Sequence, residues 1–139
     1  MKTTIAGHTI ATPVIDNATR DDIVDAATIY QAAAEALSDQ LRVRNPWTDH
    51  TARTEDLKQA IRVLSTLLTA DARSVIVARM AGEIVGMAAV QIQPPHAHVA
   101  FFFVHPDAQN RGVGRQLLDR LGSWGISQLR KLSGLRVWR

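Results

Sequence analysis

A polar turn containing glycines, between an apolar run and a helical pattern, is the segment of this sequence best suited to chemistry. It comprises Gln109, Asn110, Arg111, Gly112, Val113, Gly114 and Arg115. The first amides of a helix have no partner within the helix, and they carry a partial positive charge. Glycines let an anion approach these amides closely. The turn therefore predicts a site in which the backbone holds an anion such as pyrophosphate.

Two familiar phosphate-binding motifs do not fit this turn. The nucleotide P-loop requires Lys and then Ser or Thr after its last glycine, whereas Arg115 and Gln116 follow Gly114. The dinucleotide-binding fingerprint requires a third glycine where Leu117 stands, and its glycines follow the strand almost directly. The sequence favours neither motif.

The pattern on the amino-terminal side of the turn supplies elements that could position it. Residues 10–15 could form a first strand, which Pro13 would confine to an edge or an end. Thr19 and Asp22 are spaced as a capping box, and apolar residues then recur every three or four positions over residues 20–41. A second stripe follows at Leu57, Ile61, Leu64 and Leu68. Two amphipathic helices are predicted.

From Ser74 the apolar period changes from that of a helix to that of a strand. Residues 74–79, 84–93 and 96–104 are predicted strands joined by short turns, with a possible bulge at Gly86, and they form an antiparallel meander. The helix after the polar turn is expected to place four apolar residues close to one side: Leu117, Leu118, Leu121 and Ile126. Residues 134–139 alternate enough for one more strand, parallel to the strand before that helix.

Composition limits the class of protein. A chain of 139 residues with 46% apolar and 21% charged residues predicts one globular domain, residues 1–139. The chain has no cysteine and therefore no disulfide. No apolar run suggests a signal peptide or a membrane span. We therefore expect a cytoplasmic protein without membrane contact. The formal charge of +3 suits an anionic ligand, but the basic residues are too dispersed to predict nucleic-acid binding.

The turn and its flanks resemble those of the GNAT superfamily of acyl-coenzyme A N-acyltransferases. The resemblance lies in the order of Val104, Pro106, Gln109, Gly112, Gly114, Leu117 and Leu118, and it extends to the meander and the two helices before it. It implies an α+β fold with a mixed sheet: two amino-terminal helices, an antiparallel meander, a pyrophosphate loop and its helix. Such members usually continue with another helix and two strands, so the chain ending at Arg139 is expected to be an incomplete domain.

The resemblance also implies roles for particular residues. Acetyl-CoA would be the co-substrate, and the segment from Gln109 to Arg115 would wrap its pyrophosphate through backbone amides. Phe103 and Val104 would offer main-chain groups to the pantetheine arm. Arg111 and Arg115 either add charge contacts to phosphate or are solvated.

The catalytic residues stay open at this point. The tyrosine that often protonates the leaving thiolate in that family lies beyond the fifth strand, and Tyr30, the one tyrosine of this chain, is on the first predicted helix. His98 is a weak candidate for the base, with a purely structural strand histidine as the alternative. His96 and His98 lack a third ligand at a fitting spacing, so no metal is expected.

The sequence therefore predicts acetyl transfer from acetyl-CoA to a primary amine of a small molecule or peptide, by direct attack. The alternative is a non-catalytic acyl-CoA-binding module that needs a partner, and a homodimer that completes the sheet is possible. The segment around Trp47 could line the acceptor site, or Trp47 could cover the end of the helical pair. Arg42 and Arg44 near it could favour an acidic acceptor or equally be solvated.

Overall fold

The computed structural model describes residues 2–5, 8–41 and 50–133, and the side chains of residues 12–41 and 51–127. Its strands are β1 (Lys2–Ile5), β2 (His8–Ala11), β3 (Val14–Asn17), β4 (Val75–Met80), β5 (Glu83–Gln93) and β6 (His96–Val104). Its α-helices are α1 (Ile23–Leu41), α2 (His50–Ala70) and α3 (Val113–Ser133). The predicted segments Arg42, Arg44, Trp47 and Gly134–Arg139 lie outside the described residues.

The central sheet has the order β3-β4-β5-β6, and every neighbouring pair is antiparallel. This confirms the predicted meander. The single strand predicted over residues 10–15 is wrong, because β2 ends at Ala11 and pairs with β1 among the described strands, whereas β3 begins at Val14 and pairs with β4. Pro13 stands between them, and a proline has no N–H with which to continue a ladder.

Side chains of alternate strand residues build a separate core on each face of the sheet. On one face α1 and α2 pack over Val75, Val77, Met87 and Ala89. On the other face α3 packs over Ile76, Ala78, Ala88 and Val90. The capping box predicted before α1 is present, since the Thr19 N–H donates to Asp22 Oδ2 at 2.9 Å. Arg79 donates to the same oxygen at 2.8 Å and thereby ties β4 to the start of the first helical segment.

A bulge beside Gly86 lets α3 approach the sheet closely. Ala78 pairs with Gly86 and Arg79 with Ile84, which leaves Val85 as the extra residue of β5. A Cβ at Gly86 would lie 3.0 Å from Val113 Cγ1 and 3.1 Å from Leu117 Cδ1. The first turn of α3 therefore packs into the space that the missing side chain leaves. A second bulge leaves Ala100 unpaired in β6.

The apolar side predicted for α3 is correct for Leu117 and Leu121, which are buried, and wrong for Leu118 and Ile126. Leu118 is 56% exposed and Ile126 is 52% exposed. Ile126 lies nine residues after Leu117, which places it about 180° around the helix from the buried face. Trp124 occupies the buried side instead, packed against the core below α3.

Candidate coenzyme-binding site

The polar turn predicted to hold an anion lies between β6 and α3, after a short 3₁₀ segment at Pro106–Ala108. Asn110 has a φ of 65° and Gly112 a φ of 80°, so both adopt the left-handed conformation on either side of Arg111. Asparagine and glycine tolerate this conformation better than other residues do. Successive amides in such a turn form a concave, positively polarised surface that suits an anion.

The amides of this turn are available to a ligand. Within the described residues, no backbone or side-chain acceptor is bonded to the N–H groups from Asn110 to Arg115. The first bond of the helical type runs from the Gln116 N–H to the Gly112 carbonyl, at 3.2 Å. The unpaired amides and the dipole of a 21-residue helix thus point to the same place.

Neighbouring groups fix the entrance to the turn. The His105 N–H donates to the Val85 carbonyl at 2.7 Å, and the Asp107 N–H donates to His105 Nδ1 at 3.1 Å. The Gln109 side-chain amide donates to the Val104 carbonyl at 3.3 Å. The hydrogen bonds of His105 and Gln109 therefore stabilise the conformation of the turn.

An open groove of about 540 Å³ runs from this turn along the end of β6. Of the residues predicted to bind coenzyme, it is lined by Phe103, Val104, Gln109, Asn110 and Gly114. Its opposite wall is the second half of α1, through Ala33, Ala36, Leu37 and Gln40, which the sequence analysis did not assign to a site. Nothing in the sequence marks these residues as part of a site. The feature that distinguishes them is the 51% exposure of Leu37, and that is known only from the structure.

The remaining predicted residues do not line this groove. The Val113 side chain is buried beneath α3, so only its backbone faces the turn. Arg111 lines a second groove of about 500 Å³, together with His105, Asp107 and Glu83. Arg115 and Gly112 are exposed at the surface of the turn.

His98 lies on the exposed half of β6, before the bulge at Ala100, and it is not part of the groove lining. Its ring centroid is 6.0 Å from that of His96. No group of three or more His, Cys, Asp or Glu residues in the described part of the chain is arranged to hold a metal ion. None of the helices described there has the length and apolar character needed to cross a membrane.

A polar pair on the α1 and α2 side of β6 was not anticipated from the sequence. The Tyr30 hydroxyl donates to Asp56 Oδ1 at 3.1 Å, and the Tyr30 ring stands edge-on to Phe101 and Phe103. Burial, reinforced by the charge of Asp56, raises the pKa of Tyr30 to about 12. Asp56 Oδ2 is buried, and no donor in the described part of the chain reaches it. Tyr30 lies one turn before Ala33 on α1 and contacts Phe103 of the groove wall, but neither Tyr30 nor Asp56 lines the groove itself.

Solved structures share this fold. A PaiA N-acetyltransferase from Thermoplasma acidophilum, in complex with coenzyme A, matches with a TM-score of 0.68 and 9% identity, over 84% of this chain and 74% of that one. A ribosomal-protein-S18-alanine N-acetyltransferase from Escherichia coli matches with a TM-score of 0.54 and 20% identity, over 86% of this chain and 61% of that one.

The chain spans only part of some of these structures. A protein from Pyrococcus horikoshii matches with a TM-score of 0.62 and 22% identity, and the alignment covers 83% of this chain but 35% of that one. No curated protein sequence matches. The sequence model of the acetyltransferase (GNAT) family matches residues 28–137, which include α1 from Thr28 onward, all of α2, strands β4 to β6 and the polar turn. This chain therefore belongs to the GNAT acetyltransferase family.

Proposed function

We propose that the chain transfers an acetyl group from acetyl-CoA to a primary amine, within a complex that holds both substrates. The observation that carries the proposal is the set of unpaired amides from Asn110 to Arg115, which opens onto the groove at the end of β6. A pyrophosphate supplies the acceptor oxygens that these amides need. The coenzyme A complex of the structurally similar Thermoplasma enzyme supports the same ligand class.

The pantetheine arm of the coenzyme would lie between β6 and α1. Within the described residues β6 is the edge strand, so the backbone groups on its outer side are available to amides of the arm. Phe103 and Val104 belong to the groove wall at this edge, and Ala33 and Leu37 supply an apolar surface opposite them. This arrangement matches an arm that alternates amide and methylene groups.

The reaction asks for a neutral amine next to the thioester. The amine nitrogen forms the new bond to the carbonyl carbon, the carbon–sulfur bond breaks, and the departing thiolate takes up a proton as the amine loses one. His98 stays the candidate for the base. Tyr30 and Asp56 are proposed to lie next to the acceptor, because no donor in the described part of the chain reaches Asp56 Oδ2 and an amine can supply one. This oxygen is buried, so the proposal requires the side chains over it to move when the amine binds.

The test is a calorimetric titration with acetyl-CoA, followed by a screen of amines for release of free coenzyme A thiol. Saturable binding together with thiol release that depends on the amine supports the proposal. Saturable binding without release for any amine of a broad panel leaves an acyl-CoA-binding module and contradicts catalysis by this chain. Absence of binding contradicts the assignment of the turn itself.

A further inference from the structure

A small cavity of about 70 Å³ lies at the end of the sheet opposite to the coenzyme groove. It is bounded by the last residue of β3, the start of β4, the turn before β4 and the second half of α3. The lining residues are Asn17, Arg73, Ile76, Arg120, Leu121 and Trp124. Trp124 lies eleven residues after Val113, which places the cavity roughly 17 Å along α3 from the polar turn. The cavity is thus separate from the proposed coenzyme site.

The indole nitrogen of Trp124 is the unusual group in this cavity. It is buried, and no acceptor in the described part of the chain receives its N–H. Indole nitrogens in protein interiors normally donate to an acceptor, because leaving a buried donor unpaired is unfavourable. Trp124 lines the cavity, so a ligand held there is a candidate acceptor for this N–H.

Two guanidinium groups border the same cavity. The Arg73 guanidinium carbon is 5.8 Å from the centre of the Trp124 ring. Arg120 donates to the Ile15 carbonyl at 3.4 Å and to Asn17 Oδ1 at 3.5 Å, both near the long limit of a hydrogen bond. A guanidinium has five N–H groups, so Arg120 retains donors after these two contacts.

The lining residues that the structure describes carry no negative charge. Asp71 forms an ion pair with Arg73, contacting Nε and Nη2 at 3.4 Å each, but Asp71 does not line the cavity. Among the described lining residues the single side-chain acceptor is Asn17 Oδ1, which already accepts from Arg120. The cavity is therefore lined by an indole and two guanidinium groups with one weakly engaged neutral side-chain acceptor.

We propose that this cavity binds one small oxyanion, such as sulfate, phosphate or a carboxylate, which accepts from Trp124, Arg120 and Arg73. The volume is about that of two water molecules in the liquid, so a nucleotide or coenzyme is too large. The bound anion joins β3, the turn before β4 and α3, and it offsets the charge of Arg120, since Arg73 is already paired with Asp71. This inference does not depend on the proposed acetyl transfer.

The test is a titration of the ¹⁵N-labelled full chain with sodium sulfate, without coenzyme, with sodium chloride at matched ionic strength as the reference. The chain has three tryptophans, so the spectrum holds few indole N–H resonances, and Trp124→Phe identifies the relevant one. We expect a saturable shift of the Trp124 indole resonance with sulfate. Acetate in place of sulfate shows whether a carboxylate suffices.

Charge variants separate specific binding from general attraction to a basic protein. Arg120→Gln is expected to weaken sulfate binding at least tenfold. Arg62→Gln removes the same charge from the surface of α2, where Arg62 donates to Gln59, and should leave the affinity unchanged. Arg73→Gln serves as the second variant if Arg120→Gln does not fold.

Three results would overturn the proposal. The first is an equal shift with chloride, which means screening only. The second is an equal loss of affinity in Arg120→Gln and Arg62→Gln. The third is an unshifted Trp124 resonance with a nuclear Overhauser contact to water, which shows that the cavity holds water and excludes the anion. Sulfate bound at the polar turn cannot imitate the expected result, because it does not contact Trp124.

Discussion

The phenol of Tyr30 on α1 and the carboxylate of Asp56 on α2 are joined by a hydrogen bond of 3.1 Å at the surface of Phe101 and Phe103. The bond links two helices across 26 residues of sequence. Asp56 Oδ2, the other oxygen of the carboxylate, is buried, and no donor in the described part of the chain reaches it. Two predictions depend on this pair.

The first prediction concerns ionisation of Tyr30, whose pKa is raised from 10.0 to about 12 by burial and by Asp56. Because the folded state favours the protonated phenol, this contribution to stability is complete below pH 10 and is lost as the pH rises through 12. Tyr30 is the one tyrosine of the chain, so absorbance near 295 nm reports it alone. A midpoint near that of free tyrosine would contradict the burial, and Tyr30→Phe should lack the signal.

The second prediction concerns Asp56 and the acceptor. Asp56→Asn replaces one carboxylate oxygen by a donor, so we expect the KM of the amine to rise roughly tenfold, the loss of about one hydrogen bond to a charged group. The affinity for acetyl-CoA should not change. Glu55→Gln is the matched control, because Glu55 is exposed on the same helix and, within the described residues, pairs with Lys58 at 3.7 Å. A parallel loss of acetyl-CoA affinity would show that the effect is structural.

The third prediction distinguishes the two glycines of the polar turn. Gly112 has a φ of 80°, whereas a Cβ at Gly114 would meet its nearest neighbours, Phe102 and Val104, at an ordinary distance of 3.8 Å. Gly112→Ala should therefore weaken acetyl-CoA binding by about tenfold, since the turn must distort or pay for a left-handed alanine. Gly114→Ala should leave the free energy of unfolding unchanged, because its Cβ meets the chain only at an ordinary distance, although Gly114 lines the groove and the methyl group reduces the space for the coenzyme. A larger loss of stability in Gly114→Ala than in Gly112→Ala would contradict the assigned backbone geometry.

The fourth prediction concerns the close contact of α3 with β5. Gly86→Ala inserts a methyl group 3.0 Å from Val113 and 3.1 Å from Leu117, and overpacking of this kind costs about 1–3 kcal/mol of unfolding free energy. Gly122 lies on α3, and a Cβ there would meet nothing within 4 Å. Gly122→Ala should therefore raise the free energy of unfolding by about 1 kcal/mol. Urea unfolding measures both, and equal effects of the two variants would refute the packing argument.

The fifth prediction tests His98 as the base. His98→Ala should lower kcat/KM by about 10²-fold. His96→Ala is the control, because His96 lies two residues earlier on the same exposed half of β6. Equal kcat/KM in the two variants would leave His98 a structural residue of the strand.

Hydrophobic periodicity predicted those parts of the fold whose structure depends on the sequence of a single element. The stripe on α2, the meander and the glycine turn follow from local spacing and local backbone preference. The prediction for Leu118 was wrong because apolar character alone does not show which side of α3 packs on the sheet. The Tyr30–Asp56 pair and the α1 wall of the groove arise where separate elements meet, and no local pattern encodes such a meeting.

The bulge at Val85 has a consequence for how this hairpin tolerates change. Val85 has no partner in β4, and its carbonyl instead receives the His105 N–H at the entrance to the coenzyme loop. Hairpin ends ordinarily accept insertions and deletions readily. Here a deletion that removes the bulge would make the β4–β5 pairing regular, and it would also remove the carbonyl that holds the coenzyme loop. The length of the segment between β4 and Gly86 is therefore expected to tolerate less change than its side chains do.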